Sequence, residues 1–187
     1  MQPLKEKLIL AGIEEIRNVG INDFSLRRIA KKCEVSPAAP YKHFESKQEF
    51  IVAVIEYINR QWDEQLEAVV RADGTDNYRN QLIKISVQYI RFLVENPHFR
   101  SIIMLKDDAL TEEQIRLKSR LSQGSTAIIG KYCESVNMSE DRRKIKTFIV
   151  RSLIYGAALM LDNGELEYTE ENITEIAKSI EREFDLA

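Results

Sequence analysis

Residues 35–44, VSPAAPYKHF, gather the side chains of this sequence that best suit a defined chemistry. Small residues (Ser36, Ala38, Ala39) flank Pro37, and Tyr41, Lys42 and His43 follow at once, with Lys47 beyond. A phenol, an ammonium and an imidazole are hydrogen-bond donors. Donors placed just after a small, closely approachable backbone suit a row of phosphates. Such contacts set register and most of the affinity but read no sequence.

Other chemistries lack their constellations. No GxSxG, HExxH or glycine-rich phosphate loop occurs. The two histidines, His43 and His98, are far apart, and no carboxylate pair stands out, so no enzymatic activity is expected. His43, beside Phe44, reads as a phosphate contact, and His98, after Pro97, as a surface or capping residue. Cys33 and Cys133 have no CxxC partner, so neither a zinc site nor a disulfide is expected. Both read as inert thiols, with redox sensing left open. DDALTEE, 107–113, reads as a loop and helix start whose acids the dipole favours. EDRRKIK, 140–146, reads as a solvated helix face. No metal and no cofactor is expected.

The totals restrict the class further. The chain has 187 residues, 44% hydrophobic and 30% charged, enough for one sizeable core or a small module fused to a larger one. Seven glycines and four prolines argue against a turn-rich β fold. No apolar run approaches the ~18 residues of a membrane span, and the N-terminus lacks a secretory pattern, so a cytoplasmic protein is expected. The net charge of −3 hides an asymmetry. Residues 1–47 hold nine Lys/Arg against six Asp/Glu, and residues 48–187 hold eighteen against twenty-four. A basic head on an acidic body suits a local anionic partner.

The elements that position these residues read as helices throughout. Leu4, Leu8, Ala11, Ile13 and Ile16 form an apolar stripe that ends at Gly20. Ser25 is placed to cap a short helix carrying Leu26, Ile29 and Ala30. Ser36 is placed to cap a second short helix with Pro37 at its first position. Ser46 and Glu49 predict a capping box opening a long helix to about residue 71. Further helices are expected at 78–95, 98–105, 111–136 (capped by Thr111 with Gln114), 139–162 and 169–185. The fold class is therefore all-α, with about nine helices.

Residues 25–44 then read as helix, tight turn, helix, with Val35 plugging the crossing. This is the pattern of a helix-turn-helix, whose second helix lies in the DNA major groove. GINDFSLRRIAKKCEVSPAAPYKHFESKQEF, 20–50, resembles the N-terminal signature of the TetR/AcrR family of transcriptional repressors. The matching positions are Gly20, Ser25, Ile29-Ala30, Val35-Ser36, Tyr41, His43-Phe44, Ser46-Lys47 and Phe50. Two positions depart from the pattern: Glu34 stands where glycine is usual, and Pro40 where an aliphatic residue is usual. Glu34 would be strained at positive φ, and Pro40 should alter the base-facing surface.

The resemblance implies a helix-turn-helix DNA-binding domain over 1–47 and a helical ligand-binding and dimerisation domain over 48–187. It assigns DNA contact to Ser25, Arg28, Ser36, Pro37, Ala38, Ala39, Tyr41, Lys42, His43 and Lys47. It implies a homodimeric repressor on a near-palindromic operator in double-stranded DNA, released by a small apolar or amphipathic effector. The candidate effector-pocket residues are Trp62, Tyr89, Phe92, Phe99, Met104 and Tyr155, although aromatics at helical spacing are often plain core. The dimer face is expected on the last two helices, at Ser152, Gly156, Ala157, Ile173, Ile176, Ala177 and Ile180, although these can equally pack on their own core. A helical dimer serving as a protein-interaction scaffold is the alternative.

Overall fold

The computed structural model describes residues 3–73, 77–104 and 110–185. The elements are α1 (Leu4–Val19), α2 (Leu26–Lys32), α3 (Lys47–Asp73), α4 (Tyr78–Glu95), α5 (Pro97–Ile103), α6 (Glu112–Ser119), α7 (Gln123–Ser135), α8 (Glu140–Asp162) and α9 (Glu170–Asp185). Short 3-10 segments cover Pro40–Lys42 and Arg120–Ser122. No strand occurs among the described residues, so the fold is all-α. The expected end of the fifth of these helices at Leu105, and residues 107–109, lie outside the described residues.

The chain divides into two compact units. The first comprises 1–61 and 98–121. It is larger than the 1–47 head because the first half of α3, together with α5 and α6, belongs to it. Its core is built by the apolar stripe of α1. Leu8, Ile13 and Ile16 are buried against the same interior as Phe24, Ile29, Ala30, Phe44 and Phe50. Three rings form its centre: Phe44 meets Phe50 edge-on at 4.9 Å, and Phe24 lies 5.6 Å from Phe50. Gly12 permits the close approach of α1 to these rings. A Cβ there would lie 2.1 Å from Phe50 Cζ.

In the same unit the capping box at Thr111 and Gln114 forms. Gln114, 1% exposed, also donates from Nε2 to Gln48 Oε1 (2.8 Å), tying α6 to the first turn of α3. Asn59 Nδ2 donates to the Leu117 carbonyl at 2.8 Å further along the same two helices.

The second unit comprises 62–97 and 122–187. Here α4 packs against α7, α8 and α9. Tyr132 O–H donates to the Phe184 carbonyl at 2.8 Å and its ring meets Phe184 edge-on. Arg91 forks onto Glu170 at 2.8 and 2.6 Å, joining α4 to the start of α9. The α9 cap is Thr169, whose hydroxyl accepts from the Asn172 N–H.

Two expected helices differ. The helix over 111–136 is interrupted at 120–122. The hydroxyls of Ser125 and Thr126 both bond to the Ser122 carbonyl, and such side chains compete with the backbone ladder. The second helix of the helix-turn-helix is not an α-helix. Residues 36–43 advance by i→i+3 bonds, from Ala39 N–H to Ser36 C=O (2.9 Å), Lys42 to Ala39 (3.2 Å) and His43 to Pro40 (2.9 Å). Pro40 has no N–H to give to residue 36, so the first turn of an α ladder cannot close.

Candidate nucleic-acid interface

The interface is positioned by the end of α2. Val35 N–H bonds to Ala30 C=O (3.0 Å) and Glu34 N–H to Lys31 C=O (3.1 Å), the paired bonds of a Schellman stop. The motif needs a left-handed residue at the position between, and Glu34 takes it with φ 59. The same geometry closes α7 at Asn137 (φ 50), a residue that tolerates it better. Val35 is half-buried beneath this turn.

Beyond the turn, Ser36, Pro37 and Ala38 are exposed in succession, while Ala39 and Pro40 turn inward and are buried. Tyr41 is 53% exposed. Lys42 is exposed and His43 is half-buried, its ring 6.2 Å from Phe44. Of the residues expected to touch DNA, Ser36, Pro37, Ala38, Tyr41 and Lys42 therefore share one open surface. Ala39 does not: its methyl belongs to the core. Ser25 makes no side-chain cap on α2, and the 3-10 turn that follows has Ala39, not Ser36, at its N-cap position. Ser25 contributes its carbonyl to the first turn of α2 instead.

Two expected contact residues are engaged within the head. Lys47 Nζ donates to the Asn22 carbonyl at 2.7 Å and sits 4.3 Å from the centre of the Phe24 ring. Arg28 donates to Glu15 and to the Asp23 carbonyl. Glu15 is 4% exposed and also meets Lys32 Nζ at 3.1 Å. Burial alone would raise its pKa, but hydrogen bonds from Arg28 and Lys32 and their charges outweigh that and hold the carboxyl below its usual value. Arg28 thus locks α2 onto α1. Arg27, exposed beside it at the start of α2, was not among the expected contacts. The signal available was a basic residue in the first turn of α2.

Glu49 is the partner of Ser46 as expected, its N–H bonding Ser46 Oγ at 3.1 Å. Its carboxylate reaches back to the Glu45 N–H rather than to Ser46. Burial pushes both thiols, Cys33 and Cys133, above their usual pKa, which disfavours the reactive thiolate. Among the described residues no cluster suited to a metal ion occurs.

The sequence of the head settles its kinship: residues 8–54 match the bacterial regulatory proteins of the tetR family. The head belongs to the TetR/AcrR family. It is 33% identical over 96 residues to the nucleoid occlusion factor SlmA of Alteromonas mediterranea, a match covering 51% of this chain and 47% of that protein. The chain thus matches about half the length of that relative. The fold is similar to that of a putative fatty acid metabolism regulator of Clostridium perfringens, with a TM-score of 0.75 at 19% identity over 95% of this chain and 96% of the other. It is also similar to the transcriptional regulator FadR of Bacillus subtilis, solved in complex with stearoyl-CoA, with a TM-score of 0.72 at 16% identity over 96% of each chain.

The residues expected in the TetR-family body divide between the two units. Trp62, Tyr89, Phe92 and Tyr155 are together in the second: Trp62 lies 4.7 Å from Tyr89 and 5.4 Å from Phe92, and Tyr89 lies 6.5 Å from Tyr155. Phe99 and Met104 belong to the first unit. Phe99 is buried there, with His98 edge-on to it at 4.4 Å and Tyr57 at 6.0 Å. Burial, with the charge of Arg17, lowers the pKa of His98.

Of the expected dimer residues, Ala157, Ile173 and Ile180 are buried within their own unit, and Ile176 and Ala177 are half-buried. Ser152 is exposed, and a Cβ on Gly156 would meet open space. These two share a stripe of α8 with side chains that the sequence reading missed: Ile145, Phe148, Leu159 and Met160, 60%, 72%, 50% and 43% exposed. The signal was the spacing 145, 148, 152, 156, 159, read against the small residues alone.

Proposed function

We propose that this chain is a DNA-binding transcriptional regulator, acting in the cytoplasm as a homodimeric repressor released by a small apolar or amphipathic effector. The observation that carries the reading is the open surface of Ser36, Pro37, Ala38, Tyr41 and Lys42 just beyond the Glu34 turn. The small residues would face base edges, and Tyr41, Lys42 and His43 would donate to phosphates. Ser25 and Lys47 would add backbone contacts at the rim. Residues 1–47 would form the DNA-binding domain and 48–187 the ligand-binding and dimerisation domain.

The dimer reading rests on the α8 stripe. Large exposed apolar side chains in a helical row are uncommon on a monomer. Ser152 adds little polarity, because its hydroxyl is spent on the Phe148 carbonyl at 2.9 Å. Pairing two such helices about a two-fold axis would cover both rows. The effector reading rests on the Trp62, Tyr89, Phe92 and Tyr155 cluster. If effector and DNA favour different states, each must weaken the other by the same factor.

Salt dependence of binding to a mixed-sequence duplex tests this. Phosphate contacts give a steep linear fall of log affinity with log salt. Lys42→Ala should lower that slope by about one per head. A slope near zero would point to a protein-binding surface instead.

A further inference from the structure

Trp62 is the single tryptophan of the chain, and only 2% of it is exposed. Tyr89 and Phe92 crowd its ring. Yet its Nε1–H has no hydrogen-bond acceptor among the described residues. A buried indole N–H normally finds one, and leaving it unmet costs free energy. Among the described residues of this unit it is the one buried side-chain polar atom left unmatched. Tyr89 and Tyr155 meet edge-on, their ring centres 6.5 Å apart, and Gln88 Nε2 donates to Gln65 Oε1 at 3.0 Å. Tyr89 and Tyr155 are each part-exposed, so the cluster is open to solvent on their side.

Resting on the reading of this cluster as the effector site, we infer that the Trp62 indole N–H is its polar anchor and that the effector is an uncharged carbonyl compound on an apolar chain. A carbonyl oxygen meets the N–H and brings no donor that would need a partner of its own. A hydroxyl would bring one. A carboxylate would lose its hydration beside these buried rings. The cation at the cluster, Arg151, lies over the ring of Tyr155, 5.9 Å from its centre, and is itself exposed, so it keeps its own hydration. The strong upward push of burial on the Tyr89 pKa marks the same cluster as hostile to negative charge.

The test uses three matched probes, 2-octanone, octane and octanoate, titrated into the full chain. The single indole N–H resonance and the single tryptophan emission report on the site directly. 2-Octanone should move the indole resonance downfield and bind about 3- to 10-fold tighter than octane. Trp62→Phe should erase that difference. Equal binding of 2-octanone and octane, with the indole signal unmoved by the ketone, would overturn the anchor while keeping the cluster as a binding site. Tighter binding of octanoate would overturn the uncharged class. Binding of none of the three would remove the effector site, and this inference with it. If Trp62→Phe does not fold, the probe comparison on the native chain decides alone.

Discussion

At the scale of single residues, the head holds one strained backbone position and one buried charge network. Glu34 occupies the left-handed region at φ 59 because the Schellman stop of α2 requires it. A side chain there costs about 1 kcal/mol relative to glycine. Glu34→Gly should therefore raise the unfolding free energy by about that amount, read as a higher urea midpoint. An unchanged midpoint would mean that the turn carries no such strain. The Glu15 network predicts a pH effect with a definite sign. Its folded pKa lies below the ordinary 4.5, so its contribution is present above about pH 4.5 and is lost as pH falls through the folded value. Glu15→Gln should lower stability at pH 7 and flatten the acid side of the stability profile. Identical acid limbs in both proteins would show that the network does not couple to folding. The Arg28 result illustrates what a single sequence hides. A basic residue three positions after Ser25 looks like a phosphate donor. Its actual partners, Glu15 and the Asp23 carbonyl, lie on a neighbouring helix and in a loop that spacing cannot bring together.

At the scale of elements, helices with a strong apolar stripe and a cap were legible, and those broken by local chemistry were not. α1, α4, α8 and α9 follow their periodicity to within a residue or two. The turn after α2 was readable as well, because Glu34 stands where a left-handed residue is needed. The segment after it was not. The two prolines suggested a helix start, yet Pro40 removes the very N–H that would close the first α turn, and the chain winds as 3-10 instead. The break at 120–122 escaped for a similar reason, since hydroxyl competition for the Ser122 carbonyl leaves the apolar period intact. Packing distance is invisible to periodicity too. Gly12 sits in a good helical stripe, but only the fold reveals the Phe50 ring 2.1 Å from any added Cβ. Phe50 is fully buried between Phe24 and Phe44 and cannot swing away. Gly12→Ala should destabilise the head by about 1–3 kcal/mol despite the better helix propensity of alanine. Thermal unfolding of the two proteins checks this, and a stabilised variant would contradict the close approach.

At the scale of the whole molecule, the proposed function needs both the DNA-binding head and self-association through α8. The apolar character of α8 was evident in the sequence, but which side of it faces solvent depends on how α4 and α9 pack against it. Ile145 and Phe148 stay outside while Ile154, Ala157 and Ala158 go in. Phe148→Glu places a charge in the middle of the exposed row. It should convert a dimer to a folded monomer in sedimentation velocity, with unchanged helicity, and weaken DNA binding by removing the second head. A variant that remains dimeric would move the interface elsewhere. The most direct test of the central claim is selection of duplexes from a random pool by the purified protein, with a Tyr41→Phe, Lys42→Ala variant as control. A near-palindrome with half-sites about one helical turn apart should be recovered by the native protein and depleted with the variant. Recovery of no enriched sequence at low salt, by protein that is folded and dimeric, would contradict that claim.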